Sequence, residues 1–474
     1  MGRLPAWLRR RLQPPFARFA CPSKEPKRIN QSGVLTALSD LPLRLRIGGH
    51  CLAIELDSGV AGPSPSSLPQ VVVYPCEEDT GPLSPAYRIP LSGVLRINRS
   101  GTAVAHSPVL GEFLLLRYAD DGVLVKDPGG RLDATLECPQ DSSEQGYRSS
   151  RRAALLKVRE LFGGPLEPLS PAKALASLQA VNRLMAHEAF RPLNTSGAPG
   201  GLLELPAGLT PILVGDLHAR VDNLLRIISE AGVLPALERG DAALVLLGDV
   251  VHCEQPDRLK AMDDSLLMMD LIFRLKLAFP DRLFFLRGNH DSFSPSLLKQ
   301  GVPQGALWRH RLTETRGEDY IRDMRIFYEA LPLVAVSPGF AACHAGPPRK
   351  PVRRDDLVDV SKNPELAREI VWTRVRAPGN PAGYSRAHVR RFRNTLGLKD
   401  PAPLVVAHNP LSASDTLWLD AAGIPHHHVL YSARRHEVGA LVGIKGRWIP
   451  MVLRAEPLTQ WVNSVPADAR DETG

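Results

Sequence analysis

The chain has few features that would place it outside ordinary globular proteins. Its six cysteines (Cys21, Cys51, Cys76, Cys138, Cys253 and Cys343) include no Cys-x-x-Cys pair. That spacing argues against a disulfide framework and against a structural zinc knuckle, and a reducing, cytoplasmic setting is the expectation. No run of about 18 apolar residues occurs, so no membrane-spanning helix is expected. The first 24 residues hold five arginines, one lysine and no acid, but lack the apolar middle of a secretion signal. Residues 1–30 therefore read as a basic tail, with an organelle transit peptide as the other reading. No internal repeat or low-complexity tract is present. The charge excess is small: 58 Lys and Arg against 50 Asp and Glu give +8 over 474 residues. Such a bias suits anionic partners such as phosphates and does not call for nucleic acid as the main partner.

Patterning divides the chain. Residues 31–140 contain "RLRI", "CLAIEL", "QVVVYP", "GVLRI", "FLLLRY" and "GVLVKD", short apolar or alternating runs separated by Gly, Pro, Ser and Asp. They predict an all-β domain, a sandwich or small barrel, of unassigned function. Residues 141–204 read as a linker and helical connector, with helical spacing in "RRAALLKVRELF" and "PAKALASLQAVNRLMAHEAF". From residue 205 to 457, strand-like and helix-like segments alternate, which predicts an α/β domain with a buried sheet. Residues 458–474 read as a C-terminal tail.

Chemistry recurs where the strands of that last domain run out. "PILVGDLH" delivers Asp216 and His218, "LVLLGDV" Asp249, "LFFLRGNHD" Asn289 and His290, "FAACHAGP" His344, and "LVVAHNP" His408. The crevice at the carboxyl ends of strands is where α/β folds bind ligands. Asp, Asn and neutral His together suit first-row divalent cations. A single Asp-x-His could instead be a turn, with Asp216 capping the next helix, and an amide such as Asn289 could close a turn. Trp308 and Trp372 read as packing residues. The basic run "PRKPVRR" (348–354) reads as a solvated loop or as a guide for anions.

"GDLH", "GDVV", "RGNHD", "CHAG" and "VAHN", in this order, resemble the calcineurin-like metallophosphoesterase superfamily, and Pro410 two residues after His408 leans toward its phosphoprotein phosphatase and diadenosine tetraphosphatase branch. The resemblance implies a double β-sheet sandwich flanked by helices. It also implies two divalent ions (Mn, Fe or Zn). Asp216 and His218 would hold the first ion, Asp249 would bridge, and Asn289, His344 and His408 would complete the second. His290 would be the general acid. The implied activity is hydrolysis of phosphomonoesters, including those of phosphoproteins. The alternatives are a nucleotide, dinucleoside polyphosphate or phosphodiester hydrolase, or a weakly active metal-binding scaffold. The branch continues its second motif as G-D-x-V-D-R-G, whereas this chain reads "GDVVHCE". His252 stands where the family has an aspartate orienting the acid, and Cys253 where it has a phosphate-gripping arginine. Arg386 is the expected substitute clamp, with His252 and Asn289 also facing substrate.

Overall fold

A computed structural model describes residues 17–19, 25–57, 59–60, 70–76, 86–90, 94–98, 113–119, 122–139, 146–230, 232–377, 379–444 and 446–466. Most of the basic tail and the centre of the predicted linker lie outside these residues. The chain divides into two compact units, Met1–Ala153 with Glu230–Gly232, and Ala154–Ser229 with Val233–Gly474.

The first unit is built on two sheets of five and six strands, and all six predicted runs are strands in it. Strands Leu43–Ile47 and His50–Asp57 form a hairpin whose two-residue turn is Gly48-Gly49, at φ 55° and 88°. That left-handed geometry is what a tight hairpin demands and glycine adopts without strain. Cys138 is disulfide-bonded, a departure from the expectation that spacing alone kept the cysteines out of disulfides.

The second unit carries two larger sheets. In one, strands Leu283–Phe285, Ala242–Leu246 and Thr210–Val214 run parallel, and the hairpin Glu437–Ile444/Arg447–Arg454 continues the sheet. The other orders Leu202–Glu204, Val334–Ser337, Phe340–Cys343, Leu404–Val406, His427–Leu430 and Leu417–Trp418. Alternate side chains of its strands fall into different cores. Ala335, Ala342 and Val405 join Leu213, Val245 and Phe284 between the sheets. Val334, Cys343, Leu404 and Val406 pack instead with Ile370, Val389 and Phe392 from helices Pro364–Trp372 and Arg386–Thr395. Both faces are thus buried, which explains why these strands read as apolar runs without alternation. The expected sandwich with flanking helices is the observed fold.

Two differences from the expectations are local. Helix Pro171–Met185 stops before Phe190, which adopts φ 65° just ahead of Pro192 and cannot continue a helix. Residues Leu458–Ser464, expected in a tail, form a helix with Leu458 and Val462 buried.

Candidate metal centre

Between the carboxyl ends of the two sheets the predicted ligands gather. Asp216, His218, Asp249 and Asn289 follow strands of the first sheet, and His344 and His408 follow strands of the second. A lone parallel bridge between Asp216 and Tyr431 brings the sheets together at this point. Tight turns aim the side chains. His218, Asp249 and His408 sit at φ 43°, 52° and 61°, a left-handed conformation that L-residues rarely adopt. Gly288 permits the approach, because a Cβ there would lie 2.2 Å from Asp249 Oδ1.

Two donor groups result: Asp216, His218 and Asp249, and Asp249, His344 and His408. Within each, the ligand atoms lie within 4.8 Å of one another and all are buried. Asp249 belongs to both. The Asn289 Oδ1 lies 2.9 Å from His344 Nε2, so its amide faces the second group. Asp216 does not cap the next helix, whose N-cap is Arg220; its carboxylate accepts from the His408 backbone N–H at 3.1 Å.

The electrostatics fit cations. Among the described residues, the charged partners of Asp216 and Asp249 are histidines, not lysine or arginine. Burial raises the Asp216 carboxyl to about 6. Burial would lower His344, but the Asp249 and Asp216 carboxylates outweigh it and lift this imidazole to about 9. Asp249 is driven the other way: burial opposes its charge, yet His344 and His290 hold it well below the usual carboxylate range. Buried carboxylates that draw protons onto neighbouring imidazoles are a site short of positive charge. Carboxylate, imidazole and amide donors without thiolate fit first-row divalent ions.

Residues 209–432 match the family model for calcineurin-like phosphoesterases. This part of the chain is a calcineurin-like phosphoesterase domain. It is a metal-dependent hydrolase of phosphate esters, its family works with two metal ions, and the two groups sharing Asp249 are the donors this chain offers. Among solved structures, a Saccharomyces cerevisiae protein serine/threonine phosphatase with similarity to human PP5 aligns at 14% identity, over 61% of this chain and 91% of that one, with TM-score 0.46. A putative diadenosine tetraphosphatase aligns at 20% identity, over 53% and 98%, with TM-score 0.32. A cold-active protein-tyrosine phosphatase from Shewanella aligns at 11% identity, over 53% and 82%, with TM-score 0.37.

Around the ligands of this phosphoesterase domain stand further residues. His290 donates its backbone N–H to Asp249 Oδ1 at 2.7 Å, and its Nδ1 lies 2.9 Å from His252 Nδ1. His252 is fully buried, against the edge of Trp308, and its Nε2 has no partner. Burial lowers His290 to about 4. Cys253 is buried, and its carbonyl accepts from Gln304. Glu254 turns its carboxylate to His218 Nε2 at 3.5 Å and also binds Lys299 and the Tyr431 hydroxyl. Burial opposes its ionisation, but His218 and Lys299 prevail and hold it at about 2.

Arg386 opens helix Arg386–Thr395, exposed, and no hydrogen bond or ion pair ties it to the ligands. Arg374 stands at the site instead, with Nε 3.3 Å from His408 Nε2. Trp372 is 43% exposed with its ring 6.0 Å from His408, so it is not the packing residue expected; Trp308 is.

Proposed function

We propose that the domain is a phosphomonoesterase acting on phosphoproteins, with two ions held by Asp216, His218 and Asp249 and by Asp249, Asn289, His344 and His408. When bound, such an ion pair neutralises phosphate charge and makes water acidic enough to attack at neutral pH. The observation that carries this reading is the sharing of Asp249 by two buried donor groups.

The chain's own residues supply the rest. His290 gives a proton to the departing oxygen. The two facing Nδ1 atoms can share only one proton. As the acid, His290 is the imidazolium: its Nδ1–H donates to His252 Nδ1, its Nε2–H is the proton given to the leaving oxygen, and a neutral imidazole remains. His252 is then a positioning residue, and its complete burial keeps it from substrate. With a buried Cys253 where the family has an arginine, Arg374 is the guanidinium that would grip the phosphate, through two oxygens with its planar fork.

The test is phosphate release from p-nitrophenyl phosphate with added manganese, alongside a panel of phosphopeptides, nucleotides and diesters. Asp249→Asn should lower turnover by about 100-fold or more, as loss of a charge at a reacting centre does. Unchanged turnover in that variant would refute the two-ion reading. Preference for a diester over its monoester would replace the phosphomonoesterase assignment.

A further inference from the structure

The segment Trp372–Arg376 leaves the metal centre and enters a basic surface. Arg374 faces His408. Two residues on, exposed Arg376 donates its backbone N–H to the Tyr384 carbonyl at 2.8 Å, and Tyr384 donates to the Arg374 carbonyl at 2.9 Å. Tyr384 leads directly to Ser385, the N-cap of helix Arg386–Thr395. Arg386 and Arg390 are exposed four positions apart, so they share one face of that helix. Arg391 reaches back to the Pro348 and Arg349 carbonyls, tying in the basic run 348–354. Backbone pairing thus lays out a track that begins at a metal ligand and runs outward over Arg376, Arg386, Arg390 and Arg391.

Among the described residues, none of these four guanidinium groups is ion-paired with a carboxylate. Neighbouring Arg349 and Lys350 are, with Glu369 at 2.8 Å and Glu365 at 3.8 Å. Two acids therefore face six cations in the track and the start of that run, while Arg353 and Arg354 at its end pair with Asp356 and Glu204. The field reaches His388 inside the helix: burial, then Arg391 and Arg376, press its imidazole down against the pull of Glu369. A self-repelling cluster of this kind gains when an anion covers it.

We propose that this arginine track binds acidic residues flanking the phosphoresidue of a polypeptide substrate whose phosphate enters the metal centre. The inference rests on the phosphatase reading above and names its substrate class. A small monoester would end near Arg374, whereas the uncompensated charge continues over a full turn of helix beyond it. Beyond Arg374 the aromatics along the track, Tyr384 and Phe392, are buried, and the exposed ring of Trp372 lies at its inner end beside His408, so the track carries no series of stacking rings of the kind that binds single-stranded nucleic acid.

The full chain is titrated against two fluorescein-labelled phosphoserine peptides, one flanked by glutamates and one by alanines, and binding is read by anisotropy at about 0.15 M ionic strength. The acidic peptide should bind about tenfold more tightly, and the advantage should shrink as salt rises. Arg376→Glu with Arg390→Glu should remove the advantage while p-nitrophenyl phosphate turnover stays within about twofold. An unchanged melting temperature shows that the double variant is folded. Equal binding of the two peptides overturns the proposal, as does discrimination that survives in the double variant. Duplex DNA or phosphatidylserine vesicles displacing the acidic peptide as well as a second acidic peptide does would assign the track to those polyanions instead. Failure of the phosphatase reading is seen separately, as absent turnover with peptide discrimination intact.

Discussion

The two units of the chain spend backbone strain differently. Among the described residues of the first unit, every positive φ belongs to glycine, as in the Gly48-Gly49 hairpin. The second unit places His218, Asp249, His252 and His408 in that conformation, all within the metal centre. A turn needs only a residue that bends, and glycine does so without cost. A site needs a side chain at the bend, and each such residue carries about 1–3 kcal/mol of strain that the surrounding fold must overcome. Four left-handed Asp and His residues thus gather at the metal centre, whereas Asp420, Ala422 and His426 carry the same strain in one connection of the second sheet.

That contrast can be broken at four positions, beginning where the effect is greatest. Gly288→Ala should cost about 100-fold in turnover, because the new methyl would push the Asp249 carboxylate aside. Near-normal phosphate release from this variant would mean that Asp249 is not held where its strain implies. His252→Ala should lower kcat about tenfold and leave KM within about twofold, as expected for a residue that holds the acid and not the substrate. A rise in KM with constant kcat would move His252 into substrate contact.

The third position tests a buried histidine outside the centre. His427 lies between the Tyr384 hydroxyl and the Leu404 carbonyl, and burial lowers it from the ordinary 6.5 to about 4. An imidazole depressed on folding is neutral in both states above pH 6.5, so its contribution is intact there. As pH falls from 6.5 to 4, only the unfolded chain takes up the proton, and about 3 kcal/mol of stability should be lost. Denaturant melts over that range should show the loss, and His427→Leu should flatten it; an equal slope in both proteins would dismiss the assignment. The smallest effect is expected at Gly49→Ala, whose methyl meets nothing within 4 Å. Only the strain remains, about 1–2 kcal/mol in a melt, with turnover unaltered. A loss of activity there would erase the distinction between the units.

Much of this was readable before any coordinates. Apolar runs ending in Gly-Asp, Gly-Asn-His or a single His mark strand ends, because strands buried on both faces are mostly apolar and polar side chains cluster where they run out. Asp216, His218, Asp249, Asn289, His344 and His408 were legible for that reason. Arg374 and Glu254 were not. Both lie in irregular segments where spacing has no period, and only folding brings one to His408 and the other to His218. Arg386 illustrates the converse: a residue type suited to phosphate, in a loosely aligned segment, ends on an outer surface. The reach of His252 to His290 depends on a turn at φ 68°, which sequence pattern does not encode.

The bridge from Asp216 to Tyr431 is the narrow seam at which two leaves of the fold touch beside the donors. Because each leaf contributes ligands on its own side of that seam, bound cations would act as rivets. Catalytic readiness and the mechanical closure of the sandwich would then be one property, set by the same handful of coordinate bonds.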